Sequence, residues 1–445
     1  NIAGISLANA STITGDITLA NTSSIDNISI SGNNATLAGG ISLSHTSNIT
    51  GGINVQNGGT ITNNISAVGG ARIDSINITN GRVGGNISAN WDSAGNGIGT
   101  INQITITGGE VGGNIALANE TSIANGMTLN NGTINGAINL NIRTADNSVA
   151  SIPTISLQNA STIANITLGN SATNGSQGRI DSLTLGGTSH IGNIANDRGI
   201  ISTLTLGETS SIGEITGYAG TIATLDVKGN SSIDSVDGTN IDIDTFSIAN
   251  GAVVGHLITG DNNIQNLTNS GSITTLDVTG NVGNNNVITN NGSIGNLNVQ
   301  SSVTLDGTGN RITNSLVVNS GETLTSRTEL QFFASNGTLH NAGTIVGNIN
   351  NLTHSTIADF NNSGNIDGVF SNNGHIIKFV NIGSIDFFTN NTTVAFFQND
   401  GVITNFIGSG IIDGVIISEA INADFVIVVI SLWNEKGATI KGMLS

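Results

Sequence analysis

Residues 179–194 read RIDSLTLGGTSHIGNI, and residues 200–215 read IISTLTLGETSSIGEI. Both stretches contain the pattern apolar-x-x-apolar-x-apolar and, after a polar turn, end on a second apolar pair. The first apolar position recurs at Ile180, Ile201, Ile222 and Ile243, so the residue number rises by 21 at every step. One such strip cannot bury itself, so a constant phase of this length indicates units that stack and share a core. We therefore predict that these four isoleucines form one inward-facing ladder.

The period differs towards the two ends of the chain. Near the N-terminus, apolar-x-apolar triplets such as Ile5-Leu7 and Ile17-Leu19 follow one another in steps of 11 to 13, so two triplets make one unit. Near the C-terminus, phenylalanines recur at every ninth position within the motif N-x-G-x-I-x-x-F. We predict a single solenoid domain with four parts: looser coils of about 23–25 residues over 1–175, coils of about 21 over 176–330, tighter 9+9 coils over 331–420, and a C-terminal end at 421–445.

These segments predict strands, because they are short, interrupted by glycine and rich in β-branched residues. A propeller blade would need a repeat of roughly 40–45 residues, which is about twice the observed period. The fold class we predict is all-β, a parallel β-helix with coils of roughly 18–25 residues. Since two nine-residue units make one coil, Phe370, Phe388 and Phe406 should form one column, and Phe379 and Phe397 another on the opposite wall.

Composition limits the function classes. Of 445 residues, 9% are charged and none is cysteine, whereas an ordinary domain carries about 25% charged residues. Asn, Ser, Thr and Gly must therefore supply the polar surface. A net charge of −18 argues against nucleic acid and against anionic lipid, which both bind through Lys and Arg. The lack of cysteine excludes disulfides and thiolate metal sites.

Groups suited to catalysis are few. The six histidines show no metal-binding spacing. Asp242 and Asp244 alternate and so share a strand face, and Asp234 and Asp237 are expected one coil earlier, where stacked carboxylates could bind a cation or act as acid and base. Lys228 is the only lysine before Lys378, so a cationic partner is missing. We expect no enzyme activity, no cofactor and no metal; a solvated acidic face is the simpler interpretation.

Three breaks interrupt the repeat, and they are either tolerated corner insertions or binding loops. They are residues 88–97 with Trp91, residues 142–154 with Pro153, and the polar stretch 170–178. A different motif, D-x-N-x-S at residues 359–363, makes Asn361 a candidate glycosylation site.

The runs ITGDITLANTSSIDNISI (13–30), IDSLTLGGTSHIGNI (180–194) and NNSGNIDGVFSNNGHI (361–376) resemble the passenger domains of bacterial autotransporters, particularly Campylobacter- or Helicobacter-like ones. The resemblance covers most of the chain. It implies a right-handed, single-stranded parallel β-helix that is exported through the outer membrane and displayed on, or shed from, the cell. It also implies a membrane barrel that this sequence lacks, so that membrane contact would be made only through that missing part.

The function expected from this resemblance is an extracellular structural or adhesive rod of a Gram-negative bacterium, with a role in virulence. Its partner would be a host surface or matrix, or other copies of itself. A self-assembling surface-layer or filament subunit is the first alternative, and a polysaccharide-active β-helix enzyme is the second. A groove with convergent Asp, Lys and Arg side chains would favour the enzyme.

Overall fold

The computed structural model describes residues 1–91, 97–140, 148–169, 177–261, 263–417, 421–425, 428–429, 432–434 and 440–441, with side chains as far as residue 414 except that of residue 284. These residues are almost wholly parallel β-strands, which confirms the predicted parallel β-helix. They form two compact units, Asn1–Asp244 and Thr245–Ser445. That the chain is one domain stays a prediction.

The strands of the first unit are β1 (Ile5–Ala8), β2 (Thr12–Ile13), β3 (Ile17–Leu19), β4 (Ser24–Ile25), β5 (Ile28–Ser31), β6 (Thr36–Leu37), β7 (Ile41–Ser44), β8 (Asn48–Ile49), β9 (Ile53–Gln56), β10 (Thr60–Ile61), β11 (Ile65–Val68), β12 (Arg72–Thr79), β13 (Arg82–Val83), β14 (Ile87–Asn90), β15 (Thr100–Thr107), β16 (Glu110–Val111), β17 (Ile115–Leu117), β18 (Ser122–Ile123), β19 (Met127–Asn130), β20 (Thr133–Leu140), β21 (Val149–Gln158), β22 (Thr162–Leu168), β23 (Gln177–Leu185), β24 (His190–Asp197), β25 (Ile200–Leu206), β26 (Ser211–Tyr218), β27 (Gly220–Val227), β28 (Ser232–Asp237) and β29 (Ile241–Ile248), the last of which ends in the second unit.

The first coils have four short walls. Each strand pairs in parallel with the strand four places later, so that β1 lies beside β5, β2 beside β6, β3 beside β7 and β4 beside β8. Ile5 aligns with Ile28, Ile28 with Ile53 and Ile53 with Ile76, so the residue number rises by 23, then 25, then 23. The apolar side chain of each triplet therefore lies above its equivalent in the next coil, as the repeat predicts.

Farther along the first unit, neighbouring strands merge into longer, bent ones. β12 pairs with both β8 and β9, so one strand covers two walls. Its side chains at Ile73, Ile76 and Ile78 are buried, whereas Asp74 and Ser75 both point outward. A straight strand alternates strictly between its two faces, so two successive outward residues mark a bend. The spacing apolar-x-x-apolar-x-apolar is the sequence signature of this corner.

The coil length predicted over 1–175 is wrong for three coils, which are longer. Ile76 aligns with Ile104, Met127 with Ile155, and Ile155 with Leu183, and the residue number rises by 28 at each of these steps. These three steps contain the stretches 92–96, 141–147 and 170–176, which lie outside the described residues, and the strands before and after them keep their register. Insertions between strands lengthen a coil and leave its core register unchanged.

Asparagine shapes the turns. Within the described part of the chain, backbone φ is positive at fourteen non-glycine residues, and nine of them are asparagine, for example Asn9, Asn34, Asn57 and Asn159, with φ between 53° and 69°. Asparagine tolerates this left-handed conformation better than most residues, because its short amide can bond locally. The abundance of this residue between the strands is therefore a consequence of tight coil corners.

The elements of the second unit that follow β29 are β30 (Val253–Ile258), β31 (Leu267–Asn269), β32 (Ser272–Val278), a 3₁₀ turn (Gly283–Asn285), β33 (Val287–Asn290), β34 (Ser293–Val299), β35 (Val303–Asp306), β36 (Arg311–Val318), β37 (Thr323–Ser326), β38 (Leu330–Phe332), β39 (Gly337–Asn341), β40 (Thr344–Val346), β41 (Ile349–Asn351), β42 (Thr356–Asn362), β43 (Asn365–Asn372), β44 (His375–Asn381), β45 (Ser384–Asn390), β46 (Thr393–Asn399), β47 (Val402–Gly408), β48 (Ile411–Ile417), β49 (Ile421–Phe425), β50 (Val428–Val429), β51 (Leu432–Asn434) and β52 (Ile440–Lys441).

The regular 9+9 coils begin later than predicted. Ile345 aligns with Ile366, and Ile349 with Phe370, and the residue number still rises by 21 at both steps. An isolated step of 18 joins Ile294 to Ile312, but the step repeats from coil to coil only from Phe370 to Phe388 and from Phe379 to Phe397 onward. The boundary at 331 is therefore wrong. In these repeating coils each wall consists of one seven- or eight-residue strand, and both turns are two residues long.

Candidate interaction surfaces

The isoleucine ladder is an inward, structural feature. Ile180 aligns with Ile201 and Ile201 with Ile222, and all three are fully buried. Ile243 is also fully buried and lies in β29, which pairs with β27. The ladder also extends back to Ile152, which aligns with Ile180. The sequence pattern missed Ile152 because the insertion 170–176 breaks the constant phase.

The phenylalanines line up as predicted, but their two columns are not separate. Phe370 aligns with Phe388, and Phe388 with Phe406, on one wall, and Phe379 aligns with Phe397 on the other. Rings from the two walls nevertheless stack on each other, with centroids of Phe379 and Phe388 4.7 Å apart. This coil is narrow enough for the facing rings to interleave into one continuous aromatic stack.

Buried asparagines form two hydrogen-bonded ladders beside this stack. The Asn362 amide nitrogen donates to the Asn381 oxygen at 2.7 Å, and Asn381 donates to Asn399 at the same distance. A second ladder donates from Asn351 to Asn372 and on to Asn390. We did not predict these ladders, although the first asparagine of the N-x-G-x-I-x-x-F motif carried the signal.

Each ladder has a direction, because every amide nitrogen donates towards the C-terminal side. Asn341, which donates to Asn362, begins the first ladder, and Asn351 begins the second. The side-chain oxygens of both are buried and have no hydrogen-bond partner. In the preceding coil, Asn341 aligns with Val318 and Asn351 with Phe332, and neither side chain can donate a hydrogen bond. Each ladder thus starts at the coil where the inward side chain at this position is first an asparagine instead of an apolar residue.

The predicted acidic cluster does not form as one group. Asp242 and Asp244 do point outward from the same strand, as alternation predicts. Asp234 and Asp237, however, belong to β28, which pairs with β26, whereas β29 pairs with β27. The expectation that these carboxylates lie one coil apart is therefore wrong, because each coil here has two strands on different walls. Lys228 forms its ion pair with Asp226, at 2.9 Å.

Three side chains from three successive coils converge on the outer surface of the second unit. The Asp359 carboxylate lies 3.1 Å from His340 Nε2 and 3.1 Å from Lys378 Nζ. Burial raises the pKa of Asp359, but hydrogen bonds and charge attraction from Lys378 and His340 outweigh it, so the pKa lies below its ordinary value. A carboxylate held ionised in this way is a poor general acid.

Other histidines have structural or isolated positions. His256 Nε2 lies 2.8 Å from an Asp277 oxygen, and the second oxygen of Asp277 accepts a hydrogen bond from Asn298. His45 and His354 occupy turn positions with positive φ. Among the described residues, no three His, Asp or Glu side chains are grouped closely enough to hold a metal ion.

The candidate glycosylation site lies beside the convergent cluster. Asn361 is a half-buried residue of β42 and aligns with His340 on one side and Val380 on the other. The acidic residue of its motif is Asp359, whose carboxylate is already ion-paired. Glycosylation of Asn361 stays a prediction.

The three breaks in the repeat follow the same wall. The stretches 92–96, 141–147 and 170–176 come directly or almost directly after β14, β20 and β22, which belong to one parallel series. These stretches lie outside the described residues. Trp91, just before the first, is 43% exposed, and Pro153 lies inside strand β21. On the same edge, the Arg198 guanidinium stacks on the exposed Tyr218 ring at 5.3 Å.

One wall of the first unit has an uncharged outer surface. It is formed by β1, β5, β9 and β19 and by the second halves of β12, β15, β21, β23 and β25, and we call it the neutral wall. Its central outward column consists of Ser6, Ser29, Asn54, Asn77, Thr105, Thr128, Ser156, Thr184 and Thr205, each aligned with the next.

Two flanking columns of the neutral wall are also uncharged. One lies at the bend and includes Ser75, Gln103, Thr154, Ser182 and Thr203, and the other includes Ser31, Gln56, Thr79, Thr107, Asn130 and Gln158. Among the described residues of these columns, charge first appears in the coil of β27, at Asp226 and Lys228, which pair with each other.

The neighbouring wall, across the bend, is charged. Asp74 lies 3.6 Å from Arg72, and Asp181 lies 2.6 Å from Arg179. Each aspartate directly precedes the bend residue of the neutral wall in sequence. These ion-paired charges therefore lie beside the neutral wall, whose outward columns stay uncharged over nine coils.

No family model, curated protein or solved structure matches the chain. In the part of the chain that the structure describes, no helix is long and apolar enough to cross a membrane.

Proposed function

We propose that this chain is a structural or adhesive part of an extracellular protein of a Gram-negative bacterium, of the autotransporter passenger class. The observation that carries the proposal is the difference in residue type between the inward and outward faces of the strands. Inward positions hold Ile, Leu, Val, Phe and Asn in aligned columns, and outward positions hold many Ser, Thr and Asn residues with few charged ones. A scaffold of this kind presents a repeated surface and needs no placed reactive group.

The absence of cysteine supports the proposed export, because no disulfide has to form before or after transport. The three insertions support a binding role, because insertions of solenoid repeats often map to one face, frequently the binding face. Host surface or matrix is the proposed partner, and the cell surface or medium is the proposed location.

The test of this function uses intact cells of the source bacterium and an antibody raised against residues 1–445. We expect surface labelling that external protease removes, and retention of the purified protein on host matrix or host cells above an albumin control. Labelling seen only after the cells are permeabilised would contradict the proposed location. Surface labelling without any retention would leave a structural role and remove the adhesive one.

A catalytic role is tested separately. The described cluster closest to a catalytic group is Asp359 with His340 and Lys378, where the carboxylate is held in ion pairs. We therefore expect no release of reducing ends from acidic polysaccharides. Two variants check this expectation: the double variant Asp242→Asn, Asp244→Asn and the single variant Asp359→Asn. Release of reducing ends by the unaltered protein that is lost in at least one of these variants would identify an enzyme instead.

A further inference from the structure

We propose, as a refinement of the proposed adhesive function, that the neutral wall of the first unit binds an uncharged, hydroxyl-rich polysaccharide along its columns. The wall offers nine successive outward residues in its central column, all of them Ser, Thr or Asn. Neighbouring strands of a sheet lie about 4.8 Å apart. The column is therefore a regular row of hydroxyl and carboxamide groups.

The chemistry of these groups selects the ligand class. A hydroxyl and a carboxamide each donate and accept hydrogen bonds, as sugar hydroxyls do. The described residues of the wall carry no cation to hold a phosphate or carboxylate over these nine coils, and no carboxylate to hold a basic peptide. Large apolar side chains are confined to its inner side, so the wall has no means of binding lipid or an apolar helix.

Some of the polar side chains are fixed before any ligand arrives. The Asn77 amide nitrogen donates to the Asn54 oxygen at 3.0 Å, and Asn54 donates to Asn27 at 2.8 Å. The Asn54 amide still has one N–H and one oxygen lone pair to offer, whereas Asn77, whose nitrogen also donates to Ser75 Oγ at 3.2 Å, offers its oxygen. Binding by groups already held in place loses less side-chain entropy than binding by mobile ones.

A second copy of the chain could also occupy the neutral wall, but electrostatic repulsion between the two copies disfavours it. Each copy carries a net charge of −18. Sheets that pack face to face are about 10 Å apart, close to the Debye length of about 8 Å at physiological ionic strength, so the repulsion would be only partly screened. A neutral polysaccharide brings no charge and can satisfy the polar groups that a second copy would bury.

The binding test uses the full chain and two insoluble neutral probes, microcrystalline cellulose and chitin particles, with heparin-agarose as the anionic comparison. We expect co-sedimentation with at least one neutral probe and none with heparin-agarose. Binding to the neutral probe should change less than about twofold when NaCl is raised to about 1 M, where the Debye length falls to about 3 Å. Failure of the intact protein to bind either neutral probe overturns the proposal.

Two matched triple variants locate the surface. Thr105→Glu, Thr128→Glu and Thr184→Glu place three long charged side chains on the central column of the neutral wall. The control places the same three charges, by Thr36→Glu, Thr60→Glu and Thr162→Glu, on outward positions of the wall formed by β6, β10 and the first half of β22. We expect at least about tenfold weaker binding, or about 1.4 kcal/mol, for the first variant alone.

The remaining outcomes are decisive as well. Equal loss in both variants, or no loss in either, overturns the assignment to this wall. Circular dichroism and the thermal midpoint check folding, and the single change Thr128→Glu replaces the triple variant if that variant unfolds. A concentration-dependent dimer in sedimentation velocity, abolished only by the first variant, would identify a second copy as the occupant. Retention on host cells without binding to cellulose or chitin would overturn this refinement and leave the adhesive function standing.

Discussion

The first coils of the first unit and the last described coils of the second unit solve the same stacking problem with different side chains. In the first, Ile, Leu, Val and Ala fill the core, and the step in residue number between aligned positions varies from 22 to 28. In the second, phenylalanine rings and asparagine amides fill it, and the step settles at 18. Aliphatic contacts are non-directional, whereas aromatic stacks and hydrogen bonds depend on geometry.

This difference teaches how a solenoid tolerates change. Where the core is aliphatic, a coil can gain residues between strands and still bury the same side chains. Where the core consists of aligned rings and amides, each coil must present them at the same height and angle. The insertions 92–96, 141–147 and 170–176 all occur among the aliphatic coils.

The largest expected effect is at the aliphatic ladder. Ile222→Asp would place a charge at a fully buried position between Ile201 and Ile243. Since an unpaired polar group costs roughly 2–7 kcal/mol to bury and a charge costs more, we expect a loss of at least several kcal/mol in urea unfolding. The outward change Thr203→Asp, in the paired strand β25, should stay within about 0.5 kcal/mol. Similar unfolding curves for the two variants would show that the register is wrong.

The next effect tests whether the aromatic coils fold first. Phe388→Ala removes a fully buried ring that stacks between Phe370 and Phe406, and should cost about 3–5 kcal/mol. If the stack is a folding nucleus, the variant should refold more slowly, whereas Leu204→Ala should mainly unfold faster. Stopped-flow refolding and unfolding distinguish the two. The same change in both rates for both variants would leave the stack as core packing alone.

A smaller loss is expected within the amide ladder. Asn381→Ala removes the side-chain acceptor of Asn362, whose nitrogen keeps the Ser384 carbonyl at 3.1 Å, and it removes the Asn381 donor from the Asn399 oxygen. A buried polar group that loses its partner costs about 1–3 kcal/mol. The outward change Asn405→Ala is the control, and we expect it to stay within about 0.5 kcal/mol. If Asn381→Ala left the free energy of unfolding in chemical denaturation unchanged, the hydrogen bonds of the ladder would contribute no net stability.

The smallest effect concerns the surface cluster. The folded-state pKa of Asp359 is lowered from 3.8, so its ion pairs stabilise the fold above that value, and the contribution is lost as pH falls through the lower folded pKa. Exposed pairs of this kind contribute well under about 1 kcal/mol. Lys378→Met should therefore reduce stability slightly at pH 7 and less at pH 2. If the stability difference between Lys378→Met and the unaltered protein became larger as the pH is lowered, the predicted direction of the pH dependence would be wrong.

The sequence predicted the fold through spacing alone. Constant steps between Ile180, Ile201 and Ile222, and between Phe370, Phe388 and Phe406, imply stacked coils because only aligned residues can share one core. The spacing could not reveal which strands stack, and so Asp234 and Asp237 were placed in the wrong column. The number of strands per coil depends on where bends replace turns, and this is decided by packing.

The candidate surface was harder to predict than the core. The neutral wall consists of Ser, Thr and Asn residues that look alike everywhere in this sequence, and only the register shows that nine of them form one uncharged column. The ion-paired group of His340, Asp359 and Lys378 was equally hidden, because its members lie 19 residues apart along the chain.

A pair of double-mutant cycles tests most directly whether directional contacts fix the last coils and aliphatic packing the first. One cycle combines Asn362→Ala with Asn381→Ala, and the other combines Ile201→Val with Ile222→Val. We predict a coupling energy of at least about 1 kcal/mol for the asparagine pair, since residues in one hydrogen-bond network couple by about 0.5–3 kcal/mol. The isoleucine pair should couple more weakly than the asparagine pair, because each change removes only one methylene group from a non-directional contact. Equal coupling in the two cycles would contradict the account.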